Sequence, residues 1–104
     1  MRLEIKAILV NIDDVVDKAD LKYQYILLEK PIFDQFSGEK LRTDYYPATI
    51  FNEKINQIGA AAFKGKKVVV VCYLNSQKVE KDDKVFYNLR LKVHTLQALE
   101  GGKG

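Results

Sequence analysis

The stretch of sequence that decides the fold is YYPATIFNEKINQIGAAAFKGKKVVVVCYL, residues 45–74. Residues 45–51 are aromatic and β-branched, which favours a strand. Asn52 is a favourable helix N-cap because its side chain can accept a hydrogen bond from a free backbone N–H of the first turn. Apolar residues at helical spacing follow: Ile55, Ile58, Ala62 and Phe63. Gly65 suits the left-handed position beyond a helix end. The four valines of 68–71 then favour a buried strand.

The rest of the chain supplies three more strands around this strand–helix–strand unit. Residues 3–12 alternate at first and then become apolar on both faces, as a long strand serving both halves of a curled barrel would. Residues 21–28 form the second strand, which Pro31 ends. Residues 86–99 form the fifth. A turn-rich acidic segment is predicted at residues 11–20, a polar loop at 37–44, and the polar tip of a hairpin between the fourth and fifth strands at 75–84.

These elements predict an all-β protein with one short helix. A helix between the third and fourth of five strands is the arrangement of an OB-fold, a five-stranded Greek-key barrel. Ala48 and Ile50 are expected in its core, and Tyr45 and Phe51 are expected on the outer face of the third strand. Pro47 predicts a free or irregular edge there, because it has no N–H to donate.

The fourth strand is apolar on both faces, so both faces are expected to be buried. Val68 and Val70 belong to the core. Two coverings remain open for the outward pair, Val69 and Val71: a second subunit, or the chain's own helix or termini.

Composition indicates one modest globular domain. The chain has 104 residues, 47% hydrophobic and 30% charged, and we expect a single domain over residues 1–100 with a flexible stub at 101–104. A net charge of +3 is mild for a dedicated duplex binder. The sequence has no membrane-length apolar run and no signal-peptide pattern. Its single cysteine, Cys72, lies in an apolar strand, which predicts an inert buried thiol. These features favour the cytoplasm.

Aromatic and basic residues are the candidate functional groups. Tyr45 and Phe51 are either a stacking platform for bases or side chains packed under a loop or a partner subunit. Phe33 and Phe86 are further candidate rings. The candidate phosphate partners are Lys40, Arg42, Lys54, Lys78, Lys81, Lys84 and Arg90. Lysines interleaved with aromatics on the 75–84 hairpin suit a single-strand binder, but its charges nearly cancel, so a plain solvated hairpin is the alternative.

The spacing of these residues resembles the bacterial single-stranded DNA-binding protein family. That family has an aromatic, five residues, a second aromatic, thirteen residues to a Lys-Gly turn, and then alternating apolar residues and a leucine. The matching positions are Tyr45, Phe51, Lys64, Gly65, Val68, Val70 and Leu74. Residues 32–34 and 37–39 are similar to the family's aromatic second strand and its loop.

The resemblance implies a function and an assembly. It implies non-sequence-specific binding of single-stranded DNA in replication, recombination or repair, by a homodimer or homotetramer that stacks bases on Tyr45 and Phe51. Only a few residues follow the fifth strand. The sequence is therefore expected to be similar to a relative without the family's glycine-rich linker and acidic tail, such as the primosomal replication OB-fold proteins.

Catalytic patterns do not occur in the sequence. There is no Gly-rich phosphate loop, nucleophile motif or Cys/His metal spacing, and His94 is the single histidine. The aspartates of residues 13–20 do not have EF-hand spacing, so a solvated turn is predicted. We therefore expect no enzyme, metal or cofactor. The alternatives to DNA binding are an OB-fold protein-interaction or assembly module, or a binder of RNA or oligosaccharide.

Overall fold

Five long strands form a closed barrel in the computed structural model, which describes residues 1–99. The predicted stub at 101–104 lies outside the described residues. The elements are β1 (Arg2–Ile12), β2 (Val16–Lys18), β3 (Leu21–Phe33), β4 (Lys40–Phe51), helix α1 (Glu53–Ile58), a 3-10 helix (Ala60–Phe63), β5 (Lys67–Lys81) and β6 (Lys84–Ala98).

The barrel closes in the order β1-β5-β6-β4-β3, with β3 also paired to β1 and with the short β2 added at the free side of β3. β1 serves both halves of the barrel. Its first part, from Arg2 to Ile8, pairs with β5, and its second part, from Ile8 to Ile12, pairs with β3, with a register shift between Leu9 and Asn11. The predicted OB-fold barrel, with its helix between the third and fourth barrel strands (β4 and β5), is therefore confirmed.

The core lies inside the barrel and is formed by side chains at alternate positions of the strands, which point inward. Leu9, Leu28, Ile50, Val68 and Val70 are completely buried. The predicted inward positions of the third and fourth strands are therefore confirmed. Cys72 is also buried, and desolvation raises the pKa of its thiol.

The helical segment differs from the prediction of one helix ending near Gly65. Helix α1 ends at Gly59, whose φ of 59° is left-handed, and the 3-10 helix follows. This break changes which residues of the segment face the core. Ala62 was expected on the apolar face but is exposed, and Ala60 is buried instead. Gly65 has a φ of 82° but lies in the turn before β5.

Asn52 occupies the N-cap position of helix α1, as predicted, but its side chain makes no capping hydrogen bond to the helix. Its φ is 50° and its ψ is −128°, which is a strained conformation for a residue other than glycine. Its N–H donates to the Lys22 carbonyl at 2.8 Å, and its Oδ1 accepts from the Lys22 N–H at 3.1 Å. These two bonds fix the end of β4 to the start of β3.

The second and third barrel strands are longer than predicted. Pro31 does not end β3, which stays paired with β4 as far as Phe33. The pairing of β3 with β1 extends only to Glu29, so the missing N–H of Pro31 costs no hydrogen bond to β1. The loop between β3 and β4 is correspondingly short. The Asp34 carboxylate accepts hydrogen bonds from the N–H groups of Phe36 and Ser37, at 2.7 and 3.0 Å, which lowers the pKa of that carboxyl.

The predicted hairpin at 75–84 is present, and it forms a two-stranded arm with a shorter turn than expected. β5 and β6 stay paired out to Lys81 opposite Lys84, leaving a two-residue turn at residues 82–83. Both turn aspartates have positive φ, 53° and 65°, as a tight hairpin turn of this length needs. We call residues 75–81 and 84–90 the arm. At a rise of about 3.3 Å per residue it extends about 23 Å from the barrel.

Two further expectations need correction. The acidic segment 11–20 is not wholly a turn, because β2 within it pairs with β3. Val69 and Val71 are half-buried rather than buried. They stand opposite Lys6 and Glu4 of β1, whose aliphatic stems can shield part of each valine.

No helix among residues 1–99 is long and apolar enough to cross a membrane.

The buried Leu28 gives a direct test of the core. We expect Leu28→Ala to lower the free energy of unfolding by about 2–5 kcal/mol, because it leaves a cavity between β1, β3 and β4. Urea denaturation measures this. Leu41→Ala removes the same atoms from a side chain that is 58% exposed and should change stability by less than about 0.5 kcal/mol. Equal losses for the two variants would contradict the assigned core.

The Cys72 thiol gives a second test. Burial and a raised pKa should keep it protonated and shielded, so iodoacetamide at pH 8 should alkylate the native protein much more slowly than the urea-unfolded protein. Mass spectrometry after timed quenching follows the reaction. Native alkylation at the unfolded rate would show that this face of β5 is open.

Candidate nucleic-acid interface

The register of β3 and β4 determines which side chains face outward. Tyr23 stands opposite Phe51, Tyr25 opposite Thr49, and Glu29 opposite Tyr45. Cross-strand partners share a face, and the alternate positions, which include Ile26 and Ile50, fill the core. The predicted outward side of these two strands is confirmed. Thr49 on this side is nonetheless buried, because β6 joins β4 at this point.

Aromatic side chains continue across the neighbouring strands. The Tyr23 and Tyr25 ring centroids lie 5.2 Å apart in an edge-to-face arrangement, and Phe51 is the cross-strand neighbour of Tyr23. On β5 and β6, the rings of Tyr73 and His94 make a similar contact at 5.6 Å. We call these five residues the aromatic track.

Lys92 joins the two halves of the track. Its Nζ lies 5.6 Å from the centroid of the Phe51 ring, within the range of a cation–π contact. The same residue pairs with Thr49 of β4 on one side and with Tyr73 of β5 on the other. A cation is therefore fixed between two aromatic surfaces.

Two adjoining clefts flank Phe51, with volumes of about 400 and 380 Å³. We call them together the groove. Phe51, Asn52, Asn75 and Lys92 line both clefts. The first is completed by Met1, Glu53, Lys54, Tyr73, Val93 and His94, and the second by Leu21, Ser76, Gln77 and Arg90. Rings, amides and cations therefore converge on one concave surface.

The groove carries more positive than negative charge. Lys54, Arg90 and Lys92 line it, against the single carboxylate of Glu53. Within the described part of the chain, none of these three cations makes an ion pair; the pairs present join Lys22 to Asp17, Arg42 to Asp44, and Lys78 to Glu80. Three cations are therefore free to meet an anionic ligand beside exposed rings, which is the composition of a site for single-stranded nucleic acid.

The structure brings only some of the predicted site residues together. Phe51, Lys54 and Arg90 meet at the groove. Tyr45 is on the same outer face but further along β4, opposite Glu29, with 58% of its surface exposed. Phe33 and Lys40 pair with each other near the tip of the β3–β4 hairpin, also facing outward.

The remaining predicted residues divide between two faces. Arg42 lies opposite Ile32, on the other side of the β3–β4 hairpin, and its Nε donates to Asp44 Oδ1 at 3.0 Å. On the arm, alternate pairing places Phe86, Lys81 and Lys84 on the same face as Arg90. Lys78 shares the opposite face with Tyr87 and is paired with Glu80 at 3.4 Å.

Sequence reasoning missed Tyr23, Tyr25, Tyr73, Lys92 and His94 as members of the site. The alternation of the fifth strand did place Lys92 and His94 on the face of Arg90, so part of the signal was present. What the sequence could not show is that β6 joins β4 in parallel, which brings that face beside Phe51.

No group of three or more His, Cys, Asp and Glu side chains within residues 1–99 is arranged to hold a metal ion.

Comparison with known proteins gives structural matches but no sequence matches. No family model and no curated protein matches the sequence. Among solved structures, the small single-stranded DNA-binding protein from Streptomyces coelicolor matches with a TM-score of 0.67 at 10% identity, over 96% of this chain and 94% of that one. The fold is that of single-stranded DNA-binding proteins.

Two further structures have this fold. The mitochondrial single-stranded DNA-binding protein Rim1 from S. cerevisiae has a TM-score of 0.65 at 21% identity, covering 98% of this chain and 97% of that one. The Plasmodium falciparum SSB, solved in complex with ssDNA, has a TM-score of 0.62 at 14% identity, covering 95% and 94%. The resemblance found in the sequence is thus confirmed in the fold along nearly the whole chain.

Proposed function

We propose that the protein is a non-enzymatic binder of single-stranded DNA without sequence specificity, acting in replication, recombination or repair. The observation that carries the proposal is the groove, where half-buried Phe51, the exposed rings of Tyr73 and His94, and three free cations converge on a barrel that has the fold of single-stranded DNA-binding proteins. Rings stack on any base and cations follow the phosphates, so neither contact requires a particular sequence. The same chemistry accepts RNA as an alternative ligand.

The magnitudes are adequate for this function. Stacking contributes about 1–3 kcal/mol per base. Three rings of the aromatic track and the cations around Phe51 could therefore offset ordering costs and reach a micromolar Kd, which corresponds to about −8 kcal/mol.

We further propose that the protein acts in the cytoplasm as a homodimer or homotetramer. A single reduced, buried cysteine suits a reducing compartment. Self-association is supported by the apolar face of the arm, where Tyr87 and Leu89 are 69% and 72% exposed. Assembly on one DNA strand would add avidity to each weak site.

A second candidate function rests on that same apolar face. Val85, Tyr87 and Leu89 alternate along β6 on the side of the arm away from Arg90. Exposed apolar patches of this kind mark protein-interaction surfaces. If the groove binds no nucleic acid, the barrel is an interaction or assembly module docked through the arm.

Fluorescence anisotropy with a labelled oligo-dT of about 35 nucleotides and a matched duplex tests the proposal. We expect the oligo-dT to bind at micromolar Kd or tighter and to bind better than the duplex. Phe51→Leu should weaken binding about 5- to 150-fold, the equivalent of about 1–3 kcal/mol of stacking. Phe36→Leu is the matched control, because Phe36 lies in the β3–β4 loop away from the groove and is 97% exposed. Absence of oligo-dT binding at low salt would refute the proposal and leave the interaction module.

The salt dependence of the same titration tests the role of the cations. Removal of one lysine–phosphate interaction with single-stranded nucleic acid should reduce the slope of log K against log salt by about 0.7. We expect this change for Lys92→Gln. Lys78→Gln is the control, because Lys78 is on the opposite face of the arm and is paired with Glu80. An equal change in slope for both variants would mean that the lysines act through the net charge of the protein and that Lys92 has no specific phosphate contact at the groove.

A further inference from the structure

The proposed function does not by itself say which way a DNA strand runs over the barrel. The outer face of β3 and β4 offers one course, along the hairpin towards Tyr45, Phe33 and Lys40. The groove offers another, across the strands from β4 over β6 to β5.

The wall of the groove opposite Phe51 is aromatic. Tyr73 lines the larger cleft and is 39% exposed, and its ring is held edge to face by His94 at 5.6 Å. Lys92 lies between the two walls, paired with Tyr73 and 5.6 Å from the Phe51 ring centroid. A second ring that is held in place by an edge-to-face neighbour and is partly exposed to solvent has the properties of a stacking surface.

Polar groups surround this cleft at positions where a nucleotide needs them. Lys54 lines the cleft from helix α1 and Lys92 from β6, and both can contact a phosphate. Asn52 and Asn75 also line it, and side-chain amides can donate to and accept from base edges or sugar hydroxyls. The volume of about 400 Å³ lies within the range of small-molecule sites, which is about 300–1,000 Å³.

We propose that the cleft between Phe51 and Tyr73 is a subsite for one unstacked nucleotide of the bound strand. The base stacks on Tyr73, which His94 supports from the side, and the phosphate lies between Lys54 and Lys92. The strand therefore crosses the barrel from β4 to β5 and does not follow the β3–β4 hairpin. This inference rests on the proposed function and adds the path of the ligand and a second stacking residue.

Substitution of Tyr73 tests the subsite. We expect Tyr73→Leu to weaken oligo-dT binding about 5- to 150-fold, as the loss of one stacked base should. Phe36→Leu is the control, because Phe36 is an exposed ring in the β3–β4 loop that lines neither cleft of the groove, and it should leave the affinity within about twofold. Urea denaturation of both variants shows whether the barrel is intact.

Photo-crosslinking gives a readout that needs no variant. An oligo-dT in which 5-iododeoxyuridine replaces thymidine is irradiated with the wild-type protein, and crosslinked peptides are identified by mass spectrometry. We expect crosslinks at Tyr73 or His94 together with Phe51. Crosslinks confined to Tyr45, Phe33 or Phe86 would overturn the subsite.

The outcomes separate the two proposals. If the wild type binds oligo-dT but Tyr73→Leu binds equally well, the subsite is wrong and the DNA-binding function stands. If the wild type does not bind oligo-dT, both are wrong. If Tyr73→Leu loses affinity and the crosslink lies at Tyr73 or His94, the path across β4, β6 and β5 is supported.

Discussion

The narrow seam between β4 and β6 is the constraint on which the rest of the structure depends. Along residues 1–99 these two strands are registered at one parallel pair, Thr49 with Lys92, whereas β5 and β6 are paired along their whole length. Pro47, two residues earlier in β4, cannot donate to a ladder on that side. The barrel therefore closes with a short contact, and its outer surface is concave beside that contact rather than a continuous sheet.

The site is a consequence of that seam. Because β4 and β6 separate on either side of Thr49, the side chains of Phe51 and Lys92 meet at the surface and clefts open beside them. Asn52 keeps the end of β4 in place through its two bonds to Lys22, with a strained backbone conformation that packing must hold. The arm then extends the same face outward, with Arg90 at its base and Phe86, Lys81 and Lys84 beyond.

The sequence predicted those parts of the fold that depend on local pattern. Alternation identified Ala48 and Ile50 as core residues, and the valines of β5 as a barrel strand, because burial on one face leaves a period-two signal. It failed where backbone geometry overrode pattern. Gly59 rather than Gly65 ends the α-helix, and two aspartates form the turn of the arm without the glycine that usually marks such a turn.

The candidate site was only partly predictable for a related reason. Phe51, Lys54 and Arg90 could be selected by residue type and by spacing. Tyr73 and His94 could not, because their relevance depends on how β5 and β6 approach β4 across the seam, which is a non-local contact. Arg42 and Lys78 were reasonable choices by charge, but their carboxylate partners Asp44 and Glu80 become evident only in the structure.

The most direct test of this account is to map the bound strand by backbone NMR. A ¹H–¹⁵N correlation spectrum of the ¹⁵N-labelled protein is titrated with oligo-dT. The account predicts that the largest amide shift changes fall on Phe51, Asn52, Tyr73, Lys92 and His94, on both sides of the seam. Changes confined to the tip of the β3–β4 hairpin or to the tip of the arm, with the residues around the seam unaffected, would contradict it.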